Sequence, residues 1–307
     1  MSKIYEALLR AEIERLTTKD EVSQATTVPL PVRERDYAEL SAGPGWPDVD
    51  VVASSVLNGL PSDPAKIAVK RWKPLLHQLP ALGERGASVE QFRTLRSRVQ
   101  EFRDLGVLKT VLVSSGLPGE GKSFVSANLA ISLARRKQNR VLLIDGDMRR
   151  SSLHKLLGAP CEPGLTDYLS GNASMFDVMQ RAHASDGMPS ALSSLTFIAG
   201  GGDADNAADL SSNNRFKELI VKASAFFDWI IVDSSPVNVI ADGVNLAHAC
   251  DGVLLVARGG VTKFETAQRA LSQLKASNVL GIVLNAVSDP PVSGGYYGYD
   301  APGKQTT

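Results

Sequence analysis

Six short apolar runs, KTVLVSS, RVLLID, LTFIAG, DWIIVD, GVLLVA and VLGIVLN, recur through the last two-thirds of this chain. Between them lie stretches of helical character, among them SVEQFRTLRSRVQEFR, NRFKELIVKASAFF and TKFETAQRALSQLKA. Strands that are apolar without alternation must be covered on both faces, and intervening helices provide the cover. The expected fold is α/β, a mostly parallel sheet with helices on both faces, and no internal repeat interrupts it.

The first of these strands runs into GLPGEGKS, residues 116 to 123, which fits G-x-x-x-x-G-K-[ST] and precedes a helix starting near Lys122. Glycines let the backbone turn its N–H groups inward, and the following helix adds its positive end, so the segment suits phosphate. The fold expected is therefore a P-loop NTPase. Gly116, Gly119, Glu120, Gly121, Lys122, Ser123 and Phe124 form its nucleotide-binding segment, with Lys122 on the β and γ phosphates and Ser123 on Mg²⁺. Two later strands end in acids: VLLIDGDMRR supplies Asp145, Asp147 and Arg149, and WIIVDSSP supplies Asp233. Parallel sheets gather ligand groups at such strand ends. A lone strand-end acid often caps the next helix, but beside a P-loop these acids meet the need of Mg·ATP for carboxylates near its phosphates. ATP and Mg²⁺ are the expected cofactors.

At 307 residues the chain has room for one sizeable α/β domain and a smaller region. Its formal charge is zero, which removes the whole-chain electrostatic argument for a nucleic acid partner or an anionic membrane surface. Cys161 and Cys250 stand far apart without a histidine cluster, so neither a disulfide framework nor a zinc site is expected, and a reducing cytoplasm fits. No apolar run approaches the roughly 18 residues of a membrane span. The opening MSKIYEALLRAEIERL is read as an amphipathic helix over residues 1–16, because Ile4, Leu8 and Ala11 recur at helical spacing; its charges argue against a signal peptide or anchor. Residues 17–84, with PLP, AGPGWPD and LPSDP, read as an irregular linker. The nucleotide-binding domain is placed at 85–288 and a flexible tail at 289–307. That tail holds Tyr296, Tyr297 and Tyr299, three of the six tyrosines, in a setting that offers a ring neither burial nor a hydroxyl partner.

A strand ending D-x-D-x-R between the P-loop and the second acidic strand end resembles the bacterial tyrosine kinases, the autophosphorylating P-loop enzymes of polysaccharide export. The similarity runs from about Ser88 to Ser288, takes in DMRRSSLHKLLG, GLTDYLSG and LNAV, and extends to the tail. Deviant-Walker ATPases of cell division and partitioning carry a lysine soon after the first loop glycine, where this chain has Leu117 and Pro118. The resemblance implies that Asp145 acts on the attacking tyrosine hydroxyl, that Asp147 and Asp233 hold Mg²⁺ together with Ser123, and that Lys122 stabilises the transferred phosphoryl group. Arg149 matches the family's arginine and joins the catalytic set. Glu90, Arg93 and Arg96 match the E-x-x-R-x-x-R motif that builds a ring of subunits. Tyr296, Tyr297 and Tyr299 become autophosphorylation sites, with Tyr168 as a buried alternative. The turn Asp233-Ser234-Ser235-Pro236 departs from the family's usual D-[ST]-P-P.

The function so implied is an ATP-dependent protein-tyrosine autokinase that regulates surface polysaccharide synthesis and export. Its expected partners are further copies of itself and a separate membrane co-polymerase whose cytoplasmic end activates it. That partner would hold a cytoplasmic protein at the inner face of the membrane, with residues 1–16 as the contact. The alternatives are a regulatory ATPase of the partitioning type without kinase activity, and a nucleotide-binding scaffold that does not catalyse.

Overall fold

The computed structural model describes residues 67–106, 108–136, 138–184, 188–202 and 206–287. The helix expected at residues 1–16, most of the 17–84 segment and the tail with Tyr296, Tyr297 and Tyr299 lie outside them.

Eight strands form one sheet: β1 (Ala68–Lys70), β2 (Thr110–Ser115), β3 (Val141–Asp145), β4 (Met179–Ala182), β5 (Leu195–Ile198), β6 (Trp229–Asp233), β7 (Gly252–Arg258) and β8 (Val279–Asn285). Their spatial order is β1-β4-β5-β3-β6-β2-β7-β8. Every neighbouring pair is parallel except β4 with β5. The six apolar runs became β2, β3 and β5 to β8; β2, β3, β5 and β6 are buried along their whole length, which is why they lack alternation. β6 inserts between β2 and β3, so the chain turns to one side of β2 after the P-loop and to the other after β6. Loops leaving the C-terminal ends of such strands diverge and open a crevice for ligands.

Helices α1 (Ala87–Leu105) and α2 (Lys122–Ala134) cover one face, and their cluster includes Phe92, Val99, Leu129, Ile131, Leu143 and Trp229. The short helices α3 (Leu153–Leu157), α4 (Leu165–Leu169), α5 (Ser190–Ser193) and α6 (Ala207–Ser212) follow, then α7 (Asn214–Ser224), α8 (Asp242–Ala247) and α9 (Phe264–Gln273). Leu165, Phe216, Leu219, Leu246 and Ala270, from α4, α7, α8 and α9, join the cluster on the opposite face. Among the described residues no helix is long and apolar enough to cross a membrane.

Residues 67–84, expected to belong to the irregular linker, are packed on the domain. β1 pairs with β4, and Trp72 is buried with its ring edge on Phe197, centroids 6.0 Å apart. Two 3₁₀ turns, Leu76–Gln78 and Pro80–Leu82, are tied to α2: Ala81 N donates to Asn128 Oδ1 (3.0 Å), Asn128 Nδ2 donates to Gln78 O (3.2 Å), and Arg135 donates to Ala81 O (2.9 Å). A three-residue strand and isolated turns carry no periodicity, so composition concealed them. Their cover also explains α2, which from Val125 onward is buried on every side.

Candidate active site

β2 ends at Ser115 and the chain turns through residues 116–121 into α2. Gly119 (φ 82°) and Gly121 (φ 95°) occupy the left-handed region, so the consensus glycine at 121 answers a backbone need. Space gives a second reason: a Cβ on Gly121 would lie 2.0 Å from Asn285 Nδ2. That amide donates to Glu120 O (3.0 Å), so the asparagine of the LNAV segment ties the end of β8 to the loop.

Two side chains of the expected nucleotide-binding set turn elsewhere. Glu120 is buried, accepts from Leu117 N (2.8 Å) and from the Thr262 hydroxyl, and so buckles the loop from within. Phe124 turns to α1 and meets Phe92 edge-on, centroids 5.6 Å apart. Lys122 and Ser123, the first residues of α2, do face the acids.

Asp145 and Asp233 are register partners at the ends of adjacent strands, and Gly146 N donates to Asp233 O (2.8 Å) to hold the turn against its neighbour. Both carboxylates are fully buried. Lys122 Nζ stands 2.8 Å from Asp147 Oδ2. Burial works against the Lys122 charge, but Asp233, Asp147 and Asp145 outweigh it and hold the ammonium above its ordinary range. Burial, reinforced by the Asp233 charge, pushes Asp145 up to about 7. Asp233 is raised as well, by burial first, with Lys122, Ser123 and Ser126 opposing.

Hydrogen bonding separates the roles of the two acids. Asp145 Oδ2 accepts from Ser151 Oγ (2.8 Å), Ser152 N (3.0 Å) and Leu153 N (3.0 Å), while Asp147 N approaches Oδ1 at 3.3 Å. Asp233 Oδ1 accepts from Ser126 Oγ (3.0 Å), whereas the buried Oδ2 makes no bond of good geometry, although the Ser123 hydroxyl helps to hold its charge. A buried carboxylate oxygen left in this condition is costly unless a donor or cation completes it. Among the described residues no group of three or more His, Cys, Asp and Glu side chains is arranged to hold a metal alone. Mg²⁺ does not ask for that, since it binds through one or two carboxylates, waters and substrate phosphates. Asp233 Oδ2, Asp147 and the Ser123 hydroxyl fit it.

Arg149 lies in the same β3–α3 turn, its Nε donating to Asp242 Oδ2 (2.8 Å) at the start of α8. Asp242, Ser151 and Asn285 are the site residues that sequence reasoning did not single out. Glu90 and Arg93 pair with each other on the exposed side of α1. Arg96 turns inward, donating to Ser132 O (2.9 Å), so the three residues of the ring motif do not share one outward face. Tyr168 is buried and stacks under Arg215, 5.2 Å from its ring centroid.

These features, a glycine-built phosphate loop with buried acids at adjacent strand ends, define a P-loop nucleotide-binding protein, and residues 111–293 match the CobQ/CobB/MinD/ParA nucleotide-binding domain family, CbiA. The chain is 34% identical over 212 residues to the tyrosine-protein kinase YwqD of Bacillus subtilis, covering 68% of this chain and 86% of that one. It is 37% identical over 212 residues, 68% of its length, to the putative tyrosine-protein kinase EpsB of Ralstonia solanacearum, of which it spans 27%. Its fold matches the kinase domain of the Escherichia coli tyrosine kinase ETK with a TM-score of 0.63 and 26% identity, covering 73% of this chain and 85% of that one. The chain belongs to the bacterial tyrosine-protein kinase family.

Proposed function

We propose that the protein is an ATP- and Mg²⁺-dependent tyrosine autokinase that regulates surface polysaccharide synthesis and export. The observation that carries this reading is the convergence of Lys122, Asp145, Asp147 and Asp233 behind a formed P-loop, in a chain 34% identical to a tyrosine-protein kinase across most of that relative's length. ATP supplies the transferable phosphoryl group, and Mg²⁺, held by Ser123, Asp233 and Asp147, would neutralise its charge. Lys122 is paired with Asp147, so binding of phosphates requires it to exchange a carboxylate for a phosphate oxygen. Asp145 has one oxygen fixed by three donors, a base whose orientation is set before substrate arrives. A phenol of pKa about 10 must lose its proton as it attacks, and a carboxylate raised toward neutrality is a better acceptor than an ordinary one. Asp145 is fully buried here, so meeting a tyrosine hydroxyl requires the site to rearrange.

The proposed acceptors are Tyr296, Tyr297 and Tyr299, outside the described residues. Assembly through the exposed pair Glu90 and Arg93, with Arg96 turned inward to Ser132 O, activation by a separate membrane co-polymerase, and placement at the inner membrane face complete the reading. Phosphosite mass spectrometry of the protein with ATP and Mg²⁺, with and without the activator, beside Lys122→Met, tests it. Phosphate on the tail tyrosines that vanishes in the variant is expected. A tail still unmodified with the activator present, alongside phosphate released to water, would instead identify a regulatory ATPase.

A further inference from the structure

We propose that Asp242 is a positioning residue for this reaction, acting through Arg149; the inference rests on the kinase reading for its function but not for its geometry. The Asp242 side chain is 2% exposed, and a carboxylate so buried is costly without hydrogen-bonding partners. Arg149 Nε supplies one at 2.8 Å, and Ser211 Oγ stands 3.5 Å from the other oxygen. Asn245 Nδ2 donates in turn to Ser211 Oγ (3.1 Å), so α6 and α8 jointly hold the acid in place.

The arginine it grips sits two residues beyond Asp147 and four beyond Asp145, in a turn whose backbone is held by those two acids. Asp145 collects the amides of Asp147, Ser152 and Leu153, and Asp147 Oδ1 accepts from Arg150 N (3.2 Å). Backbone bonds thus fix the turn itself, while Asp242 sets the heading of the one cationic side chain in it that reaches toward α8. A guanidinium is planar, so a charge-assisted bond at Nε restrains its plane as well as its position. The anchor is not remote from the chemistry: α8 follows the β6 turn that begins at Asp233, and a Cβ on Gly146 would lie 2.6 Å from Asp233 O and 2.8 Å from Leu246 Cδ1 of α8. In this arrangement α8 bridges the two acidic strand ends through one ion pair.

The test compares full-length wild type, Arg149→Ala, Asp242→Asn and the double variant. Asp242→Asn keeps the shape and a polar partner for Ser211 but removes the charge. It is expected to slow autophosphorylation at saturating nucleotide by about 10- to 100-fold, with nucleotide affinity changed by no more than about twofold. The double variant should be no slower than Arg149→Ala alone, because both changes remove the same restraint. In arginine-labelled protein, the Arg149 Nε–H resonance, assigned by its absence from Arg149→Ala, should exchange slowly in wild type and quickly in Asp242→Asn. A wild-type rate in Asp242→Asn, additive losses, or an unmoved resonance would each overturn the proposal. If wild type makes no phosphotyrosine even with the activator present, the kinase reading fails while the same comparisons, read on nucleotide turnover and the Nε–H resonance, still decide this one. Should circular dichroism show Asp242→Asn unfolded, Asp242→Glu keeps the charge and displaces it by one methylene, and must show the same loss of rate.

Discussion

Asp145 and Asp233 stand side by side at adjacent strand ends, and the Lys122 ammonium, paired with Asp147, feels the charge of both. A carboxylate raised to about 7 in the folded protein, against 3.8 in the open chain, keeps its proton in the native state where the unfolded chain has already released it. Stability from this group is therefore complete below about pH 4 and declines as pH rises through 7. The nucleotide-free Asp145→Asn variant should melt above wild type at pH 8, with the gap closing toward pH 4, followed by differential scanning calorimetry; equal melting temperatures at pH 8 would contradict the burial. At this scale the sequence showed which residues meet, because the P-loop spacing and acidic strand ends follow directly from parallel-sheet geometry. It did not show Asp242 or Ser151. Their partners are Arg149, 93 positions away, and a carboxylate six positions back across a turn, and neither spacing belongs to a helix or strand period. The side chains of Glu120 and Phe124 turn from the site for a related reason: a consensus segment specifies a backbone path, while the direction of its variable side chains depends on Thr262 and Phe92 from elsewhere in the chain.

Among the elements, six apolar strands and the four long helices α1, α2, α7 and α9 were legible, because burial on both faces, 3.6-residue periodicity and, for α2, the P-loop before it leave plain traces. β1, β4 and the turns of residues 67–84 were not, being too short for any period to register. Their importance is energetic. Trp72 is buried, donates its Nε1–H to Gln180 Oε1 (3.2 Å) and meets Phe197 edge-on, so it links the segment to both β4 and β5. Trp72→Ala should lower unfolding free energy by about 3–5 kcal/mol, the usual cost of deleting a large buried aromatic, as read from urea denaturation. A chain beginning at residue 85 loses the same contacts together with β1 and the bonds to Asn128, and should be less stable still. Equal midpoints for that shortened chain and the full one would mean that residues 67–84 are an appendage.

For the whole molecule the question raised by the proposed function is how an acceptor tyrosine would reach the buried Asp145. The described chain ends at Val287, two residues past Asn285, whose amide is bonded to Glu120 O of the P-loop. The last described residues therefore lie beside the chain's own P-loop. From Val287 to Tyr296 is nine residues, which span at most about 30 Å when extended, so both the same site and one on an adjoining copy have to be considered. Reach alone does not choose between them, but mixing does. Lys122→Met with an intact tail has acceptors and no phosphoryl transfer; a chain with Tyr296, Tyr297 and Tyr299 all changed to Phe has the active site and no tail acceptors. Transfer between copies predicts phosphate on the tail of the Lys122→Met partner in the mixture, rising with protein concentration. Glu90→Ala with Arg93→Ala should reduce that signal several-fold if the exposed pair on α1 holds copies together, while Arg96→Ala should mainly cost stability because its guanidinium turns inward and donates to Ser132 O. Label that appears in the wild-type chain, never crosses to the Lys122→Met partner and does not depend on concentration would place acceptor and base in one copy.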